Sequence, residues 1–103
     1  MPVGDLTFPE MHPVAGFTIG TTAAGVRYQQ RRDLVVMGAA VGSTVGAVFT
    51  QNAFCAAPVS LCKQNLKISA PRYCVINTGN ANAGTGAQGD LDAISVRAAI
   101  AKL

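Results

Sequence analysis

The sequence predicts an α/β fold of the α+β kind, with mixed or antiparallel strands first and a helix at the carboxyl end. Three observations lead there. Short β-branched and apolar runs fill the first half of the chain. Arg72–Asn77 is an unbroken strand pattern that runs straight into a stretch rich in glycine and asparagine. Beyond that stretch, apolar residues recur at spacings of three and four, the period of a helix packed on one side. The chain of 103 residues reads as a single partial domain, 1–103. At that length roughly two-thirds of the unfolded surface can be buried, enough for one modest core.

Residues 1–13 hold Pro2, Pro9 and Pro13 and show no periodicity, so they are expected to be irregular. Phe17 and Ile19, then Val26 and Tyr28, flank the small-residue run from Gly20 to Gly25, a pattern that predicts a loose hairpin. Arg31-Arg32-Asp33 follows as a polar break, read as a solvated turn. Leu34-Val35-Val36-Met37 suits a buried strand. Ser43–Thr50 is β-rich and is expected to pair antiparallel with Leu34–Ala39 across Ala40-Val41-Gly42. Pro58 is placed to open a helix as its first residue, with Val59, Leu61, Cys62 and Leu66 on one face.

After the strand Arg72–Asn77 come twelve residues, Thr78–Gly89, with four glycines, two asparagines and no bulky side chain. Such a stretch cannot form a core and reads as a loop with unusual backbone dihedrals. Long ordered loops of this sort tend to carry function. Asp90 is then a natural N-cap for a helix over Leu91–Leu103, with Leu91, Ile94, Ala98 and Ala101 on one face. Asp92 in its first turn and Lys102 in its last would match the helix dipole. No capping residue closes this pattern at Leu103, which suggests a piece of something longer.

Composition narrows the function. Half the residues are hydrophobic and 13% are charged, against the signature of disorder. The net charge of +3 is not gathered into a nucleic-acid stripe; Arg27, Arg31 and Arg32 are its one tight group. Cys55, Cys62 and Cys74 match no zinc spacing with His12 and are expected to be buried free thiols in a reducing cytoplasm. No basic and apolar leader precedes them. Gly38, Gly42 and Gly46 have the spacing of close-packed membrane helices. Two buried strands account for the same run better, since Ser43, Thr44, Thr50, Gln51 and Asn52 interrupt it.

Candidate chemistry is sparse. Gly84-x-Gly86-x-x-Gly89 lies between a strand and a helix, as a nucleotide-binding fingerprint does. It starts too far after Asn77, since six residues intervene before Gly84. No triad and no carboxylate pair placed for acid–base work is visible. What remains is Asn77-Thr78-Gly79-Asn80-Ala81-Asn82, whose amides and backbone N–H groups could orient a small polar substrate or simply hydrogen-bond the loop to itself.

The stretch Val75–Gly89 resembles the glycine–asparagine motif of the ornithine acetyltransferase / N-acetylglutamate synthase family. So do Gly46–Asn52 followed by Ala56–Val59, and Gly16-Phe17 followed by Ala23–Val26 and Arg32–Leu34. The three blocks occur in the family's order and cover nearly the whole chain. The resemblance implies the amino-terminal part of an α chain in a layered α/β sandwich. It implies a precursor that cuts itself before a threonine, which then carries acetyl from N2-acetylornithine to glutamate. No cofactor is implied; acetyl-CoA serves some members as co-substrate. The implied partners are the rest of the α chain and the β chain, assembled as two of each, with small-molecule substrates and neither nucleic acid nor membrane.

This sequence lacks the family's Ala-Thr-Met-Leu-type cleavage motif and its Ser-Thr-Gly-Val-Ile-Gly-type oxyanion motif. Thr78-Gly79 belongs to the earlier asparagine motif and does not replace the latter. No catalytic or metal-binding residue is therefore assigned within 1–103, and the piece alone is expected to be inactive. Asn77, Thr78, Gly79, Asn80 and Asn82 are the expected substrate-pocket loop. The competing readings are a small nucleotide-binding module using Gly84, Gly86 and Gly89, and a non-catalytic structural or oligomerisation piece.

Overall fold

A computed structural model describes Gly4 and residues 7–103. Its elements in chain order are β1 (Phe17–Thr22), β2 (Leu34–Ala39), α1 (Ala57–Ile68), β3 (Tyr73–Asn77) and α2 (Gly86–Ile100). The strands form one antiparallel sheet in the order β1-β2-β3. Phe17 stands opposite Ala39 and Thr22 opposite Leu34; on the other side Leu34 stands opposite Asn77 and Gly38 opposite Tyr73. The α+β class and the antiparallel sheet agree with the sequence expectation. The irregular segment expected at 1–13 lacks regular structure over residues 7–13, and its residues 1–3, 5 and 6 lie outside the described ones.

The strand partners differ from those expected. Val26 and Tyr28 form no strand, and β1 pairs with β2 rather than with them. The cause is Asp33, whose carboxylate accepts the backbone N–H groups of Ala24 and Val26, each at 2.7 Å. Those donors are withdrawn from any hairpin ladder. Ser43–Thr50 is likewise not a strand. Both edges of β2 are already occupied, and the ladder with β3 is extended by Ala39 N–H to Arg72 C=O at 2.8 Å and Thr78 N–H to Asp33 C=O at 2.9 Å. The segment is tied to α1 instead: Lys63 Nζ donates to Thr50 C=O at 3.2 Å and lies 5.6 Å from the centre of the Phe49 ring.

Gly38 fixes the middle of the sheet. It is buried between Thr18 and Tyr73 on the flanking strands, and a Cβ there would stand 2.7 Å from Thr18 Oγ1 and 3.2 Å from the Tyr73 ring. Gly38→Val is expected to lower stability by about 1–3 kcal/mol, the usual cost of forcing atoms into an occupied space. The denaturant midpoint of the complete gene product would measure it, and an unchanged midpoint would show that the sheet yields at this row.

Helix α1 begins one residue before Pro58, with Ala56 at the N-cap position and no side-chain cap; Lys67 in its last turn suits the dipole. Helix α2 begins at Gly86, not after Asp90, so Asp90 is not an N-cap. Gly86 takes φ +61°, which lets the small residues from Ala87 to Gly89 enter the first turn. Asp92 lies beyond that turn, and its carboxylate accepts from Gln88 Nε2 at 2.9 Å. The last-turn cation is Arg97, since Lys102 and Ala101 lie past the helix end. Arg97 Nη1 joins the helices by donating to Asn65 Oδ1 at 2.8 Å.

Little of this is enclosed. Ala57 is the one buried hydrophobic among the described residues, while Leu91, Ile94, Tyr73 and Phe54 are exposed. The accessible surface is 8663 Å² for a chain of 10.6 kDa, where a self-contained fold of that mass would expose roughly 5,500 Å². The cysteines are free, but Cys62 and Cys74 are exposed and Cys55 is half-buried, against the expected burial. Their neighbours in this chain leave those faces of α1 and β3 uncovered. Among the described residues no helix is long and apolar enough to cross a membrane.

Candidate functional site

The loop between β3 and α2 is organised by its asparagines. Asn77, the last residue of β3, accepts at Oδ1 from Asn82 Nδ2 at 3.1 Å. Asn82 Oδ1 in turn accepts from Asn80 Nδ2 at 3.1 Å. The three amides thus form a relay at the strand's end. Each amide has two donors and an acceptor oxygen with two lone pairs, so the relay keeps unused capacity for a polar ligand. It is uncharged, and suits orientation and charge stabilisation rather than proton transfer.

Backbone bonds anchor the relay at both ends. Thr78 N–H donates to Asp33 C=O at 2.9 Å, and Asn82 C=O accepts from Ala57 N–H at 3.3 Å. The loop is thereby fastened to the start of β2 and the start of α1. Asp33 is the second fixed point. It is 4% exposed, and its N–H donates to Thr22 C=O at 3.2 Å. The Ala24 N–H holds its carboxyl below the ordinary carboxylate value of 3.8; burial opposes this, and the Val26 N–H assists it. One residue therefore joins the loop after β1, the strand β2 and the start of the asparagine loop.

A cavity lies on either side of this loop. The first, about 310 Å³, opens between the starts of α1 and α2, where Phe54, Ala57, Ser60, Gly84, Thr85 and Asp90 meet. Gly84, at φ +70°, is pressed on the Phe54 ring, and a Cβ there would stand 2.8 Å from it. Cys55 Sγ donates to Asn52 C=O at 2.8 Å. The second cavity, about 230 Å³, lies between Thr78-Gly79 and the arginine group.

The expected pocket residues are divided by this arrangement. Asn77, Asn80 and Asn82 are brought together by direct bonds, whereas Thr78 and Gly79 turn to the arginine cavity. Gly79 takes φ +92°, and its Cα side packs on Arg27. The nucleotide fingerprint does not survive: the sheet around β3 is antiparallel, and the residues 78–85 separate β3 from α2. A dinucleotide fold needs a parallel βαβ unit with the glycine turn at the strand's end. Among the described residues no three His, Cys, Asp or Glu are grouped to hold a metal. Sequence reasoning passed over Asp33, treating it as solvated with the arginines; its place directly before an apolar strand was the available signal.

The sequence profile of the ArgJ family matches residues 18–103. The arginine biosynthesis bifunctional protein ArgJ of Pseudomonas fluorescens is 52% identical over 100% of this chain. That of Psychrobacter arcticus is 50% identical over 98% of it. The chain spans about a quarter of these relatives, 25% of each. Among solved structures, the ArgJ of Bacillus halodurans matches with a TM-score of 0.74 at 32% identity, over 82% of this chain and 44% of that one. The ornithine acetyltransferase of Mycobacterium tuberculosis, crystallised with ornithine, matches with a TM-score of 0.73 at 33% identity, over 85% and 48%.

Proposed function

Since the chain belongs to the ArgJ family, we propose that it is part of an arginine-biosynthetic acetyltransferase that moves acetyl from N2-acetylornithine to glutamate. The observation that carries this reading is the relay Asn77–Asn82–Asn80, fixed to both β2 and α1 within the matched residues. On this reading the loop from Asn77 to Asn82 forms part of the substrate-pocket wall. Its neutral amides orient the substrate's polar groups without competing for protons.

The nucleophile in this proposal is a threonine outside these residues, freed as an amino terminus when the precursor cuts its own backbone. Its α-amine takes the hydroxyl proton as the oxygen attacks the acetyl carbonyl. The N2–acetyl bond breaks, ornithine leaves with a proton on its amine, and acetyl remains as a threonine ester. The amine of glutamate then attacks the ester and releases the hydroxyl. Acetyl-CoA is a second possible donor, no resident cofactor is required, and the compartment is the cytoplasm.

The remainder of the α chain and the β chain are the proposed partners, two of each in the assembly. The exposure of Leu91, Ile94 and Tyr73 supports a partner that covers them, and the piece by itself is proposed to be inactive. Intact-mass spectrometry of the denatured complete gene product tests this. Two chains, one beginning with Thr, together with acetyl transfer from N2-acetylornithine to glutamate in the native sample, are expected. A single uncleaved chain without transfer would overturn the proposal.

A further inference from the structure

The arginine cavity has chemistry that acetyl transfer does not use. Arg27, Arg31 and Arg32 line it together with Tyr28, Thr78 and Gly79, around about 230 Å³. Neutral groups hold the three guanidiniums. Arg27 and Arg31 lie 5.4 and 5.9 Å from the centre of the Tyr28 ring, a stacking that limits the freedom of both side chains. Arg32 Nη1 donates to Thr21 Oγ1 at 3.0 Å.

Asp33, also in the lining, offsets one of these charges and spends its oxygens on backbone N–H groups. Asp33 gives one oxygen to Ala24 N–H and the other to Val26 N–H, both at 2.7 Å. Three arginines and one aspartate leave the lining with a formal charge of +2. Like charges gathered on a small concave surface repel one another, and a bound anion relieves that repulsion. Guanidinium forks match the paired oxygens of carboxylate and phosphate. A charge of +2 spread over three forks suits a dianion with three free oxygens better than a single carboxylate. Thr78 lines the same space, and Gly79 puts no side chain into it.

We infer that this cavity binds the phosphate group of a small molecule, gripped by Arg27, Arg31 and Arg32 and bordered by Thr78. The inference does not depend on the acetyl-transfer proposal, because it is read by binding alone. The complete gene product would be titrated with inorganic phosphate and, separately, with a simple phosphate monoester, followed by 31P line broadening. Saturable binding with Kd of about 1 mM or tighter is expected. Stronger binding of the monoester assigns the site to an esterified phosphate, and equal binding to the free ion. The double variant Arg27→Ala/Arg31→Ala should bind at least about tenfold more weakly, the scale of one charge-assisted contact, while Arg72→Ala, whose guanidinium lies over Tyr73, should not differ.

A second measurement avoids variants altogether. Phosphate should slow phenylglyoxal modification of Arg27 and Arg31 relative to Arg72 in the unaltered protein, read by peptide mass mapping. No saturation at ~10 mM phosphate, far above the Kd expected, would overturn the inference. So would equal binding by the folded double variant, equal protection of Arg72, or competition by glutamate as effective as by phosphate.

Discussion

Asn82→Asp in the complete gene product will impair acetyl transfer as much as Asn82→Ala, although aspartate is the closer match in shape. The reason lies in which atom donates. Asn82 Nδ2 donates to Asn77 Oδ1, and Asn82 Oδ1 accepts from Asn80 Nδ2. A carboxylate keeps the second bond but sets oxygen against oxygen at Asn77. Alanine loses both bonds. Either way the half-buried Asn77 amide loses its partner, at about 1–2 kcal/mol for a partly buried group. If the relay orients the substrate in the transition state, kcat/KM falls by about 5–30-fold. Unchanged kcat/KM in both variants would reduce the loop to a self-bonded structural turn. A defect in the alanine variant alone would mean that the Asn77 bond is not the one that matters.

Asp33→Asn should have the larger effect on the folded state. The asparagine keeps one acceptor oxygen but turns an NH2 group toward a backbone N–H that now meets a carboxylate oxygen 2.7 Å away. The loop after β1 loses a fixed end, and the start of the asparagine loop, hung on Asp33 C=O, becomes less constrained. Reduced stability and reduced transfer activity are both expected. The pH dependence gives the independent check. The carboxyl is held below its ordinary value of 3.8, chiefly by the Ala24 N–H. Its stabilising contribution is therefore complete above that ordinary value and is lost as pH falls through the lower, folded-state value. Denaturant midpoints of the two proteins should differ at neutral pH and converge only under strong acid. A constant gap from neutral to strongly acid solution would mean that the charge on Asp33 is not what holds the loop.

Much of the local structure was legible because it depends on near neighbours. The run Leu34–Met37 lies in β2 and Tyr73–Asn77 of the expected Arg72–Asn77 is β3, as their β-branched and apolar content implies. Pro58 falls within the first turn of α1. Of the loop expected over Thr78–Gly89, residues 78–85 are loop, whose small residues cannot enter a core, whereas Gly86–Gly89 belong to the start of α2. Helix α2 starts five residues before the expected Leu91, because Asp90 offers a good cap while Gly86 permits an earlier entry that propensity alone disfavours.

The α+β class, the family and the asparagines that build the candidate site can all be read from the chain. Those are properties of residue type and order. Packing in three dimensions makes β2 the central strand, buries Asp33, and sets Thr78-Gly79 beside the arginines while Asn77, Asn80 and Asn82 bond one another. Strand pairing joins residues far apart in the chain. Whether a strand has a free edge depends on every other strand, so no local pattern encodes it. Asp33 shows the same limit: a charged residue beside Arg31 and Arg32 looks solvated until the Ala24 and Val26 N–H groups, supplied by the loop after β1, replace the water around it.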